Sequence, residues 1–212
     1  MRRFLFILLT LVLVISSVSA QSARQRGAQV LSNGGTLQDA AREARGHYVG
    51  TGGGSSFFEY PTLHDLAKHS HTIVTGTAIT NVCQLSADGR DVYTAYSFRV
   101  DEKIKGSGIH PGDMITVDLP GGRVSFPDGS TAQINTPQFP RMVNGNRYVL
   151  FLQERGKSAS FTPVGGPQGV FELRTDGTIF AHARSFNSMS RHTGDKSDDF
   201  VRQTKDAAEK DN

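Results

Sequence analysis

The chain is nearly without cysteine. Cys83 is the only one in 212 residues, so no internal disulfide can form and the fold must stand on packing alone. Cys83 lies in an apolar run, Ile79 to Leu85, which fits a buried small hydrophobe; a reactive thiol or an intermolecular bridge is the other use of such a residue. Apolar runs long enough to approach a bilayer span are missing after residue 20, and no cysteine follows there to carry a lipid anchor. Charge of one sign is missing too. The chain carries 23 Lys and Arg against 20 Asp and Glu. Setting aside Arg2 and Arg3 leaves 21 basic against the same 20 acidic residues. No Lys/Arg cluster stands on a recognisable element, so no nucleic-acid partner is expected.

Familiar catalytic patterns are absent as well. Gly-x-Ser-x-Gly, which exposes a hydrolase serine on a strained turn, does not occur, nor does the zinc motif His-Glu-x-x-His. Gly165-Gly166-Pro167-Gln168-Gly169 lacks the lysine that a phosphate-cradling loop uses, and reads as a tight turn. Asp101 and Glu102 are adjacent, so on a strand they point to opposite faces and make no acid–base pair. Asp195, Asp198 and Asp199 do not have the spacing of a calcium loop; they suit a helix N-terminus. No cofactor is expected. Catalytic groups drawn from scattered loops leave no local pattern, so an enzyme stays open as the second reading, behind a non-enzymatic domain.

What is present begins with an address. Arg2 and Arg3 precede an apolar run from Phe4 to Ile15, followed by Ser16, Ser17, Val18, Ser19 and Ala20. A basic start, a short apolar stretch and small residues at −3 and −1 predict a secretory signal peptide over 1–20, cut between Ala20 and Gln21. The mature protein is therefore expected in the periplasm or outside the cell, with no transmembrane segment.

Residues 21–60 read as a glycine-rich linker or disordered arm, through Asn33-Gly34-Gly35 and Thr51-Gly52-Gly53-Gly54-Ser55-Ser56. A short helix over 36–45, ending at Gly46, is the one element proposed there. Residues 61–185 read as an all-β domain. It opens with a helix over Leu63 to Lys68 capped by Thr62. Strands follow over Thr72–Leu85, Val92–Ile104, Met114–Leu119, the two sides of the Pro127-Asp128-Gly129-Ser130 turn, Arg147–Gln153, Ser160–Val164, Val170–Leu173 and Thr178–Ala181. About eight short strands with frequent turns predict a mainly β fold, either a small antiparallel OB-like barrel or a sandwich. Residues 186–212 form a polar tail with a C-terminal helix within 195–210, capped by Ser197.

Three histidines, His64, His69 and His71, gather near the first helix. On a continuous helix His64 and His69 stand about 140° apart, a poor arrangement for shared ligation. His69 and His71 share a face only if that stretch is extended. They are the candidate metal ligands; the plainer reading is a solvated helix end.

The order of segments resembles an uncharacterised family of exported bacterial all-β proteins. The likeness rests on the helix and strand Leu63–Ala78, on Phe98 to Gly106 ending in Lys-Gly, and on Pro111-Gly112-Asp113-x-Ile115-x-Val117 with Gly121-Gly122. It continues in Tyr148-x-Leu150-Phe151-Leu152 and in Gly165-Gly166-x-Gln168-Gly169-x-Phe171. This resemblance implies a fold class and no activity. The long second strand ending in Lys-Gly also resembles netrin-like barrels, which have OB-type folds, although their disulfides and amino-terminal zinc-chelating cysteine have no counterpart here. The function expected is an exported non-enzymatic β-domain that binds another protein or a cell-envelope component through the loop 135–146 and the turn 121–130. The alternatives are an envelope hydrolase, with a site drawn from His64, His69, His71, His110 and His182 and a carboxylate, and a metal-handling protein using His64–His71.

Overall fold

The computed structural model describes residues 22–52, 57–139, 141–155, 160–183 and 187–210. The signal peptide and its cleavage site lie outside them, as does the stretch 53–56 of the glycine-rich segment. The chain folds as two compact units. The first takes its described residues from 22–52, Gln84–Val92 and Gly121–Asn135; the second takes them from 57–83, Tyr93–Pro120 and 136–210.

In the first unit, residues 22–32 are helical (α1), followed by α2 (Leu37–Glu43) and β1 (His47–Thr51). This corrects the expectation of a linker or disordered arm over 21–60. The α2 helix forms because Thr36 and Asp39 make a reciprocal capping box, and its alanines suffice for a core face because they pack closely: Leu37, Ala40 and Ala41 are fully buried. Strand β1 pairs in parallel with β6 (Thr131–Asn135), and β6 pairs antiparallel with β5 (Gly122–Ser125). A two-residue reversal at Arg45 and Gly46, both with positive φ, turns α2 into β1. The turn at 126–130 is not an open contact loop. Asp128 accepts from Arg42 Nε at 2.6 Å and Gln38 Nε2 at 3.2 Å, and bonds from Ser130 together with Arg42 hold its carboxyl well below the usual carboxylate range. Phe126 and Ser130 are buried beside it.

The second unit is built on α3 (Leu63–Lys68), β2 (Thr72–Leu85), β3 (Val92–Lys105), β4 (Met114–Pro120), β7 (Arg147–Glu154), β8 (Ser160–Pro163), β9 (Val170–Leu173) and β10 (Ile179–Ala181). Helices α4 (Asn187–Ser190) and α5 (Ser197–Glu209) end it. The mainly β class and the helices at both ends agree with the sequence. Strand order is β10-β9-β7-β2-β3-β4-β8, and β8 also pairs with β7. The pairing of β7, β2, β3, β4 and β8 therefore closes on itself. The β4–β8 contact is parallel, where only antiparallel pairs were expected. Closure works because β7 divides one edge: Arg147–Leu150 pair with β9 and Leu152–Glu154 with β8. Gly76 permits the close approach of β2 to β3, since a Cβ there would lie 2.2 Å from the Arg99 carbonyl oxygen.

Strand β7 is buried on both faces, as its apolar run implies. Tyr148, Leu150 and Leu152 join a core with Val74, Phe98, Val100 and Val117. Val149 and Phe151 alternate to a second core with Ile73, Phe171, Leu66 and Phe200. Phe200 brings α5 onto that core, its ring 4.6 Å from that of Phe171. The tail thus belongs to the folded unit. The N-cap of α5 is Lys196, with no side-chain cap; Ser197, expected as the cap, is instead the first helical residue. Cys83, expected as a buried hydrophobe, is only half-buried, on the part of β2 where Ile79 and Val82 are exposed.

Candidate functional site

The Gly-Gly-Pro-Gln-Gly segment does more than turn the chain. Gly165 and Gly166 are both left-handed, with φ of 63° and 61°, and Gly166–Gly169 is a single 3₁₀ turn. A Cβ at Gly165 would meet the Tyr60 ring at 2.9 Å, and one at Gly166 the Phe57 ring at 2.7 Å. Only glycine allows those rings so near the backbone. Gln168 is completely buried, and its amide is spent on the strap 57–60. Its Oε1 accepts from Tyr60 N at 3.0 Å, and its Nε2 donates to Phe58 O at 2.9 Å and to Gly165 O at 3.3 Å.

The strap so held forms one wall of a groove of about 330 Å³. Phe57 meets Phe139 edge-on at 5.1 Å, and the Phe58 and Tyr60 rings lie 6.2 Å apart. Phe58 is 81% exposed. Gln153, Thr162 and Asp118 supply polar groups to the lining. Asp118 accepts from Arg155 at 3.0 Å and Ser160 at 2.9 Å, so its charge is answered within the fold.

A second groove, of about 1080 Å³, is lined by charge, with Arg147, Arg174, Lys205, Glu102, Glu172 and Asp176 among its residues. Arg147 pairs with Asp101 at 3.1 Å and Lys205 with Glu102 at 2.6 Å. Arg174 lies over the Phe180 ring at 4.3 Å. Asp176 accepts from Thr178 within its own turn, which lowers its pKa. At the groove's edge Glu172 accepts from Asn146 Nδ2 at 2.8 Å and lies 3.6 Å from His182 Nε2, whose side chain is almost fully buried. Tyr148 packs near this pair, its ring centroid 6.0 Å from that of His182. Burial first, and then the Glu172 charge, push its phenol up to about 12.

The candidate histidines stand apart from one another in their contacts. His64 Nδ1 is 3.3 Å from the Ala207 carbonyl, His69 Nδ1 donates to Asp65 O at 2.8 Å, and His71 is exposed. His110 is exposed and 3.6 Å from Asp113. Of the five histidines considered for an enzyme, only His182 meets a carboxylate in a buried setting. Among the described residues, no three His, Cys, Asp or Glu side chains stand close enough to share a metal ion. A further buried histidine lies outside the expected set: His192 Nδ1 is 2.8 Å from Asp195 Oδ2, and its ring lies 5.3 Å from that of Phe200 and 6.4 Å from that of Phe171. The one sequence signal for the aromatic groove was the Gly-Gly-x-Gln-Gly pattern, and for Glu172 the alternation Val170-Phe171-Glu172-Leu173. Nothing local announced that 57–60 would be clasped.

No protein-family model matches the chain, and a search of the curated proteins finds no match. Among the described residues, no helix is long and apolar enough to cross a membrane.

Proposed function

We propose that the protein is an exported OB-type barrel domain that binds a cell-envelope partner through the aromatic groove and performs no chemistry on it. The single observation that carries this reading is the ring set of Phe57, Phe58, Tyr60 and Phe139 on one groove, with Phe58 81% exposed. Phe58 does not stand alone in water: it belongs to a group of rings above a wall built with two left-handed glycines and a buried glutamine, and grouped apolar surface of this kind suits a partner. Support for the OB-type assignment comes from the order of the five closing strands. Numbered 1 to 5 along the chain (β2, β3, β4, β7, β8), they pair 1-2-3-5-4-1 with 3 and 5 parallel, and such barrels serve widely as binding scaffolds. The motif order shared with exported all-β proteins and the basic–apolar–small start support export. The loop expected to make contact delivers Phe139; the turn at 121–130 does not contribute.

The test is retention of the purified mature chain on isolated envelope fractions. The expected result is retention that Phe58→Ala reduces at least tenfold, with the circular dichroism spectrum unchanged. Retention identical in the variant removes the reading.

The Glu172–His182 pair favours one second reading, acid–base chemistry in the charged groove. A buried imidazole beside a carboxylate that reaches a groove is the arrangement an envelope hydrolase would need. Glu172→Gln would then abolish turnover of envelope substrates while leaving envelope retention intact; no measurable turnover by the wild type ends this alternative.

A further inference from the structure

We infer that the ligand of the aromatic groove is an uncharged oligosaccharide. The inference rests on the binding reading above and specifies its chemistry. Three features of the groove converge on this class. Its walls are ring faces and edges: Phe57 against Phe139, and Phe58 beside Tyr60. Aromatic faces suit the C–H faces of pyranose rings, which present apolar surface on a body otherwise covered in hydroxyls. Its polar lining is made of neutral hydrogen-bonding groups: the Gln153 amide and the Thr162 hydroxyl, which both donate and accept. A hydroxyl-bearing ligand uses donors and acceptors together; a hydrocarbon chain would leave them unpaired.

Charge decides against the other polar ligands. The one carboxylate in the lining, Asp118, is held by the Arg155 guanidinium and the Ser160 hydroxyl. Arg155 in turn lies over the Tyr93 ring, 4.9 Å from its centroid, and is not among the lining residues. Among the described residues, no cation lines the groove to meet a phosphate or carboxylate, and the carboxylate that does line it is already answered by a cation. Electrostatic complementarity therefore selects a neutral ligand. The groove, at about 330 Å³, falls at the small end of ordinary ligand sites, about 300 to 1,000 Å³, which matches a few sugar units. The clasp by Gln168 fixes the strap before the ligand arrives, so the rings need not be ordered on binding.

The experiment is an array of neutral and anionic oligosaccharides probed with the full mature chain and with the variants Phe58→Ala and Phe139→Ala, beside an apolar peptide control. The expected result is binding to neutral members, reduced at least tenfold by Phe58→Ala and by Phe139→Ala, with the peptide unbound. Because Phe58 is exposed, its variant folds, and a loss there is a loss of contact. Binding confined to anionic members, binding to the peptide alone, or neutral binding that both variants retain overturns the inference. Ring-dependent retention on envelope fractions with no neutral member bound overturns the saccharide and leaves the broader binding reading standing. Ring-independent retention removes both.

Discussion

The two grooves of the second unit differ in what their side chains have left to offer. The charged groove is about three times larger, at about 1080 against 330 Å³, yet three of the four cationic side chains in its described lining already have an acid: Arg147 has Asp101, Lys205 has Glu102 and Arg202 has Asp199. Such exposed pairs contribute little to stability and leave no sign of a missing partner. The aromatic groove is small, and its hydrogen-bonding effort goes into holding the strap from behind while Phe58 faces outward beside the half-buried rings of Phe57, Tyr60 and Phe139. Size thus points one way and unspent chemistry the other. Unspent chemistry is the better guide, because Phe58 stands exposed beside three further rings on one groove, and grouped apolar surface marks a contact site where a single exposed side chain does not.

The largest test of this contrast removes one groove and spares the other. Phe200→Ala cuts the ring that seats α5 on Phe171, and with α5 go Ser197, Asp198, Val201, Arg202 and Lys205 of the charged lining. A loss of about 3–5 kcal/mol is expected in denaturant unfolding, with envelope retention through the aromatic groove persisting wherever the variant is folded.

Next in size is the clasp. Gln168→Ala leaves the Tyr60 N–H and the Phe58 carbonyl without their buried partner, a cost of about 1–3 kcal/mol. Chemical denaturation should show that loss, and retention should fall with it because the strap is no longer fixed. A Gln168→Ala variant as stable as wild type would show that the clasp does not hold the strap.

Tyr148, buried beside the Glu172–His182 pair, carries a pH signature of its own. Tyr148 is pushed up to about 12 by burial, against about 10 in an unfolded chain. Its contribution is fully present below pH 10 and is lost as pH rises through about 12, because the unfolded chain releases the phenolic proton first. Stability should therefore decline between those values, and less steeply in Tyr148→Phe. The ultraviolet titration of that variant should lack one phenol ionising near 12.

Smallest in stability is Phe58→Ala, expected within about 0.5 kcal/mol of wild type, although its effect on binding is the largest proposed. That pairing of outcomes, a neutral melting curve with lost retention, separates a ligand contact from a packing residue.

Much of the barrel was legible along the chain. Thr72–Leu85 and Arg147–Glu154 read as strands because β-branched and aromatic residues run there between turn signals. Thr62 announced a helix start through a side chain that accepts from the backbone N–H three residues on. The order within 21–60 is not legible from its glycine content, because Ala40 and Ala41 look featureless along the chain yet are fully buried, as is Leu37, in the first unit. For the histidines, closeness along the chain is a poor guide to a shared site. Proximity in sequence drew attention to His64, His69 and His71, whereas His182 and His192 find their carboxylates by burial, one on a neighbouring strand and one three residues further along the chain.

The sequence by itself determined the strands, the capped helices and the absence of disulfides, because these depend on neighbours a few residues apart. Only the tertiary structure decided that β8 closes the strand ring, that Gln168 reaches back 108 and 110 residues to clasp Tyr60 and Phe58, and that Phe139 meets Phe57. Those contacts arise from close packing of distant segments, and a local pattern carries no record of which distant partner will fill the space.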